Sequence, residues 1–134
     1  MGSRLSERIN VFPAAVWVSA AAFSQFVGVA TVVGADSAET VTAQLRKATS
    51  AGGANAADFG AAVVTTSESA DETIKAAADG RSDELGQTEG GVPYTHVSLL
   101  VSDGASPETG TGVLIAGDAR YSGDTLAGLG LAGL

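Results

Sequence analysis

An uncharged stretch near the N-terminus is the feature that most limits what this chain can fold into. Residues 11–34, VFPAAVWVSAAAFSQFVGVATVVG, contain no Asp, Glu, Lys or Arg. A membrane-spanning helix needs about 20 such residues. The stretch could also belong to an export signal, in which basic residues, here Arg4 and Arg8, precede the apolar run. The third alternative is a set of buried strands.

The residue types in this stretch favour strands. Polar side chains interrupt it at Ser19, Gln25 and Thr31, and it contains many valines but no leucine. Because β-branched residues suit a pleated sheet, we predict strands over Ala15–Ser19 and Phe26–Val33, with a bend near residues 24–25. We expect a membrane helix only if one helix covers residues 14–33.

Alternation of apolar and polar residues predicts further strands. In Thr40–Arg46, Val41, Ala43 and Leu45 alternate with polar residues, which is typical of a strand with one wet face. In Tyr94–Ser102, Val97, Leu99 and Val101 are expected on one face, and His96, Ser98 and Leu100 on the other. Less regular runs predict strands at Ala61–Thr66, Thr73–Ala78 and Gly112–Ala116. Loops are expected at residues 51–60, 90–93 and 103–110, where Gly, Asn and Pro cluster.

The segment 69–86 also contains good helix formers, so a helix over residues 70–78 is the alternative there. We favour the strand at Thr73–Ala78, because Gly80 would interrupt a helix early, followed by one helical turn at Ser82–Leu85. The sum of these elements predicts an all-β fold, an antiparallel β-sandwich or jelly-roll-like single domain. Its expected bounds are 13–121, with an N-terminal arm of residues 1–12 and a Gly/Leu-rich C-terminal arm of residues 122–134.

Charge and composition limit the partners. The net charge of −8 argues against a nucleic-acid surface, which needs a basic footprint. Charged residues make up 16% of the chain, below the usual value of about 25%. Such a composition is expected of a subunit that buries surface against its neighbours. With no cysteine, the chain has no disulfide and no thiol nucleophile.

No set of residues in the sequence predicts catalysis, a cofactor or a metal. His96 has no Ser, Cys or Asp partner placed by a motif. The acidic run 79–84 lacks the alternating spacing of a calcium loop. The glycine-rich pieces match neither GxGxxG nor GxxxxGK[ST]. We therefore expect no enzyme activity, and no cofactor or metal site.

The termini and one aromatic residue are predicted to make assembly contacts. Residues 125–134 read TLAGLGLAGL, and glycine gives such a segment little stability alone. We expect it to be held by neighbouring subunits of a homo-oligomeric assembly. The predicted contact residues are Arg4, Arg8, Trp17, Leu126, Leu129, Leu131 and Leu134.

Three segments resemble small structural proteins of tailed bacteriophages. Residues 39–60, ETVTAQLRKATSAGGANAADFG, are similar to a strand that precedes a Gly/Ala loop in those proteins. Residues 94–103 and 112–121, YTHVSLLVSD and GVLIAGDARY, resemble their closing strands. The resemblance implies a β-sandwich accessory head protein that stabilises a capsid lattice. Its partners would be copies of itself and a major capsid protein. Its location would be the virion, after synthesis in the host cytoplasm.

Two other functions remain open. One is a neck or tail subunit of the same particles. The other is an exported or membrane-anchored surface β-domain that uses residues 11–34 as its signal or anchor. We expect no nucleic-acid partner, and membrane association only in the last case.

Overall fold

In the computed structural model, residues 9–103 and 110–117 are described, and nearly all of their regular structure is β-strand. A single 3₁₀ turn, Ser82–Glu84, follows the seventh strand in this part of the chain. The strands in chain order are β1 Asn10–Pro13, β2 Val18–Ser19, β3 Gln25–Ala35, β4 Thr40–Ala48, β5 Ala57–Asp58, β6 Val63–Thr66, β7 Glu72–Arg81, β8 His96–Asp103 and β9 Thr111–Gly117.

The strands form two antiparallel sheets. The first sheet has the order β1-β9-β3-β7. In the second sheet β8 lies between β2 and β4, and the other side of β4 pairs first with β6 and then with β5. The two sheets pack face to face around one main apolar core. This confirms the predicted antiparallel β-sandwich.

The core between the sheets combines large apolar side chains with one close approach at a glycine. The first sheet contributes Phe26 and Leu114, and the second contributes Leu45 and Leu99, all of them buried. A Cβ atom added at Gly28, between these leucines, would lie 2.5 Å from Cδ1 of Leu99. Glycine at position 28 therefore lets the second sheet approach the middle of β3.

The uncharged stretch 11–34 forms strands of both sheets. The chain leaves the first sheet after β1, contributes β2 to the edge of the second sheet, and returns to the first sheet as β3. The predicted strand Ala15–Ser19 is shorter than expected, because Ala15 has a φ of 70° where the chain changes sheets. The strand predicted at Phe26–Val33 is confirmed, as is the bend at Ser24. Within the described residues, no helix has the length and hydropathy to cross a membrane.

The strand expected at residues 73–78 is confirmed as β7, and it is longer than predicted. Its buried residues Ile74, Ala76 and Ala78 alternate with exposed ones, so the pattern of burial prevailed over helix propensity. The strand continues beyond its predicted end at Ala78 and includes Gly80. Gly80 lies opposite Phe26 within β7, where a Cβ atom would approach Cε2 of Phe59 to 2.7 Å.

Other predictions differ in part from the structure. The expected loop at residues 51–60 contains β5, which pairs Ala57 with Lys47 and Asp58 with Arg46. Residues 10–12 of the predicted N-terminal arm belong to β1. The C-terminal arm and the predicted contact residues Arg4, Arg8, Leu126, Leu129, Leu131 and Leu134 lie outside the described residues.

Candidate interaction surfaces

The outer face of the first sheet is apolar where it is formed by β1, β9 and the middle of β3, whereas the outer faces of sandwiches usually carry polar residues. Six side chains from three neighbouring strands form two rows across it. One row joins Val11, Ile115 and Val27, and the next joins Pro13, Val113 and Val29. We call these six residues the first-sheet patch. It contains no charged or hydrogen-bonding side chain.

The patch is covered unevenly. Val27 is fully buried and Val29 nearly so, and Ile9 and Ile115 pack against this pair. On the outer strands of the patch, Val11 is 62% exposed and Val113 is 38% exposed. Pro13 is exposed as well, so the patch consists of a small apolar cluster beside three residues that still face solvent.

Charged residues border the patch on the β7 side. Val27 is paired with Asp79 and Val29 with Ala77, and the next row brings Lys75 opposite Thr31. Lys75 and Asp79 are both exposed. An apolar centre with a polar rim is the usual composition of a protein–protein interface.

Both ends of the described domain meet at one end of the patch. Ile9 leads into β1, and Gly117 ends β9. Asn10 is paired with Ala116, so these two chain ends are adjacent. Gly117 is paired with Gln25 and accepts a hydrogen bond from the backbone N–H of Ser24 at 3.0 Å. The segments before residue 9 and after residue 117 thus join the domain beside the patch.

A second surface feature lies on the outer face of the second sheet. It is an open groove of about 310 Å³, here called the Trp17 groove, lined by Ala15, Trp17, Arg46, Ala56, Ser98, Leu99 and Leu100. Arg46 forms an ion pair with Asp58 at 2.6 Å across the β4–β5 pair. Tryptophan and arginine are the residue types that most often dominate binding energy at interfaces.

Trp17 is positioned by two backbone features. The N–H of Ala15 donates to the carbonyl of Leu99 at 2.9 Å, which fixes residues 15–17 along the edge of β8. Gly53 has a φ of 84°, and a Cβ atom there would lie 2.6 Å from Nε1 of Trp17. Trp17 is half-buried and belongs to the groove rather than to the buried core. Its role as an assembly contact stays a prediction.

Ser98 lies on the face that the alternation predicted, with Leu100 and opposite Arg46. This face was expected to be wet, but Ser98 is buried on it. The groove contains residues from three distant segments, 15–17, 46–56 and 98–100. No local pattern in the sequence places these segments together, and only the β4–β8 register brings Arg46 opposite Ser98.

We expect Gly53→Ala to destabilise the domain more than Gly60→Ala. Both glycines have a positive φ, 84° and 79°, so alanine costs about 1–2 kcal/mol at either position. Only position 53 adds a clash with Trp17, worth about 1–3 kcal/mol more. Urea unfolding followed by circular dichroism measures the difference, and Trp17, the single tryptophan, should also change its emission in Gly53→Ala alone. Equal losses in the two variants would contradict this account of Trp17.

His96, the histidine considered for catalysis, lies apart from both surfaces. The Nδ1 atom of His96 lies 2.8 Å from the hydroxyl of Thr95. Among residues 9–103 and 110–117, no three His, Asp or Glu side chains are grouped as metal ligands would be. Neither the first-sheet patch nor the Trp17 groove includes His96.

No protein-family model, curated protein sequence or solved structure matches this chain. The resemblance of residues 39–60, 94–103 and 112–121 to phage structural proteins stays a prediction from sequence. In the structure these segments are β4 with the following loop and β5, strand β8, and strand β9 as far as residue 117. They therefore belong to both sheets of the sandwich.

Proposed function

We propose that this chain is a structural subunit of a tailed-phage virion, an accessory head protein that binds the capsid lattice through the first-sheet patch. The observation that carries the proposal is the exposure of Val11 and Val113 within the uncharged first-sheet patch. The proposal of a phage particle is based on the resemblance of residues 39–60, 94–103 and 112–121 to phage structural proteins. The protein acts by binding, with no catalytic step, and its partners are copies of itself and a major capsid protein.

The patch has the physical properties that such binding needs. Its side chains project from three strands held by continuous antiparallel pairing, so little conformational entropy is lost when they are covered. Fully burying an exposed valine contributes about 1.5–3 kcal/mol. Symmetry repeats each contact around a closed particle, so a modest contact per copy adds up to a large effect on the shell.

The charge distribution is consistent with a protein partner. The chain carries a net charge of −8, while the patch itself is uncharged. Lys75 and Asp79 of β7 have opposite signs and lie at the rim. These two residues can fix the orientation of a partner whose centre is apolar.

The direct experiment is deletion of the gene from the phage genome that carries it. We expect mass spectrometry of purified wild-type particles to detect the chain, and particles without it to release DNA at a lower temperature. Supplying the intact gene in trans is the control that restores heat resistance. Particles that never contain the chain would overturn the proposal. Recovery of the chain only with isolated necks or tails would replace the head location by the neck or tail alternative.

A further inference from the structure

We propose that the first-sheet patch binds residues 125–134 of a neighbouring copy of this chain. The inference rests on the proposed function, in which the patch is an assembly surface, and it names the partner of that surface. The occupant is the segment TLAGLGLAGL, which follows the described domain at its C-terminal end.

The chemistry of the segment matches that of the patch. The segment has four leucines and no charged side chain. The patch consists of valine, isoleucine and proline side chains. Glycines between the leucines permit close approach of the segment backbone to the sheet face. A charged or strongly polar partner would leave its own groups unpaired over Val11 and Val113.

The length of chain between the sheet and the segment allows the contact. The chain leaves β9 at Gly117, next to Gln25 at one end of the patch. Residues 118–124 lie between Gly117 and the segment. Seven extended residues span about 25 Å at most, whereas neighbouring strands are about 4.8 Å apart. The segment can therefore cross the edge of its own sheet and reach the face of an adjacent copy.

Two valines of the patch are accessible to a segment supplied by another copy. Val11 is 62% exposed and Val113 is 38% exposed. Direct packing of two patches against each other would bury too little surface. A patch three strands wide and four residues long measures about 14 Å by 14 Å, well below the roughly 800 Å² per partner of a stable interface. An exchanged segment, about 34 Å long when extended, adds contact area beyond the patch.

Disulfide trapping tests the inference in the full-length chain. Because the natural sequence has no cysteine, single thiols can be placed without background. One chain carries Val113→Cys on the patch, and a second chain carries Leu131→Cys in the segment. The two are mixed and oxidised, and the products are separated by mass. A matched control replaces Val113→Cys by Val64→Cys, an exposed valine of β6 on the second sheet.

We expect the Val113→Cys and Leu131→Cys chains to form a mixed disulfide at least 10-fold faster than the control pair. Equal rates for the two pairs would overturn the inference. Dominant Val113–Val113 disulfides in the same mixture would overturn it too, because they indicate packing of patch on patch. A third result would also overturn the inference. In it, the double variant Val113→Cys, Leu131→Cys forms mainly an intrachain disulfide at high dilution, and the separate chains do not cross-link, which would mean that the segment binds the patch of its own chain.

The two proposals fail separately. If the mixed disulfide forms but the chain is absent from purified particles, segment exchange stands and the virion function is wrong. If the chain is present in particles but the mixed disulfide does not form there or in solution, the virion function stands and another occupant covers the patch.

Discussion

Replacing Phe26 with alanine is expected to lower the free energy of unfolding by about 3–5 kcal/mol. Phe26 is fully buried at the centre of the core in β3. Its ring meets Phe23 edge-on with centroids 6.3 Å apart, and Phe23 meets Phe12 in the same way at 6.0 Å. The substitution therefore removes a large side chain and leaves Phe23 without one of its aromatic neighbours.

The loss is large compared with the total stability of a domain of this kind, which is about 5–15 kcal/mol. Guanidinium unfolding followed by circular dichroism measures it. Val64→Ala is the control, because Val64 is 57% exposed and its loss should stay within about 0.5 kcal/mol. If Phe26→Ala and Val64→Ala unfold at the same denaturant concentration, the sandwich core described above is wrong.

The second large effect is expected in assembly rather than in stability. Val11→Lys combined with Val113→Lys should weaken binding through the first-sheet patch by at least about 100-fold, which corresponds to about 2.8 kcal/mol. Two apolar contacts are lost, and two ammonium groups must be desolvated or leave the interface open. In the free domain both lysines can extend into solvent, so we expect the variant to stay folded.

A matched double variant separates the patch from general effects of charge. Val64→Lys with Val92→Lys also replaces two exposed valines, 57% and 49% exposed, and adds the same two charges. Both of its sites lie away from the first sheet, since Val64 is in β6 and Val92 precedes β8. Any loss of binding shared by both double variants reflects net charge. Only the additional loss of binding in Val11→Lys, Val113→Lys is an effect of the patch.

The strands were predictable where one face of a strand is buried and the other is wet. The alternation over residues 40–46 predicted β4 because Val41, Ala43 and Leu45 all point into the core. For β7, the same alternation identified a strand in a segment that helix propensity alone would have assigned differently. Tertiary packing decides such cases, because propensities differ by only about 1 kcal/mol per residue.

Central strand β3 shows why patterns alone do not find a surface. Nearly all of its residues are buried on both faces, so its sequence reads as a continuous apolar run with no period. The run is one reason why residues 11–34 were also consistent with a membrane helix. The outward-facing Val27 and Val29 of β3 pack against Ile9 and Ile115, which lie far apart in the sequence.

The first-sheet patch and the Trp17 groove are also difficult to predict from the sequence. The first-sheet patch requires the pairing of β1 with β9 and of β9 with β3, and the sequence contains no signal for either register. The Trp17 groove requires the chain to change sheets at Ala15, which has a φ of 70°. An alanine in the sequence does not indicate a positive φ. Sequence reasoning singled out Trp17 as a contact residue because of its type, but it could not name Arg46 or Ser98 as its neighbours.

Occupancy of virions by the two double-lysine variants tests the central claim most directly. Purified particles that lack the chain are incubated with wild type, with Val11→Lys, Val113→Lys, or with Val64→Lys, Val92→Lys, and bound copies per particle are counted by quantitative mass spectrometry. We predict full occupancy by the wild type and by Val64→Lys, Val92→Lys, and less than about one-tenth of that by Val11→Lys, Val113→Lys at equal concentration, in line with the expected loss of affinity. Equal occupancy by all three proteins would contradict an assembly role for the first-sheet patch.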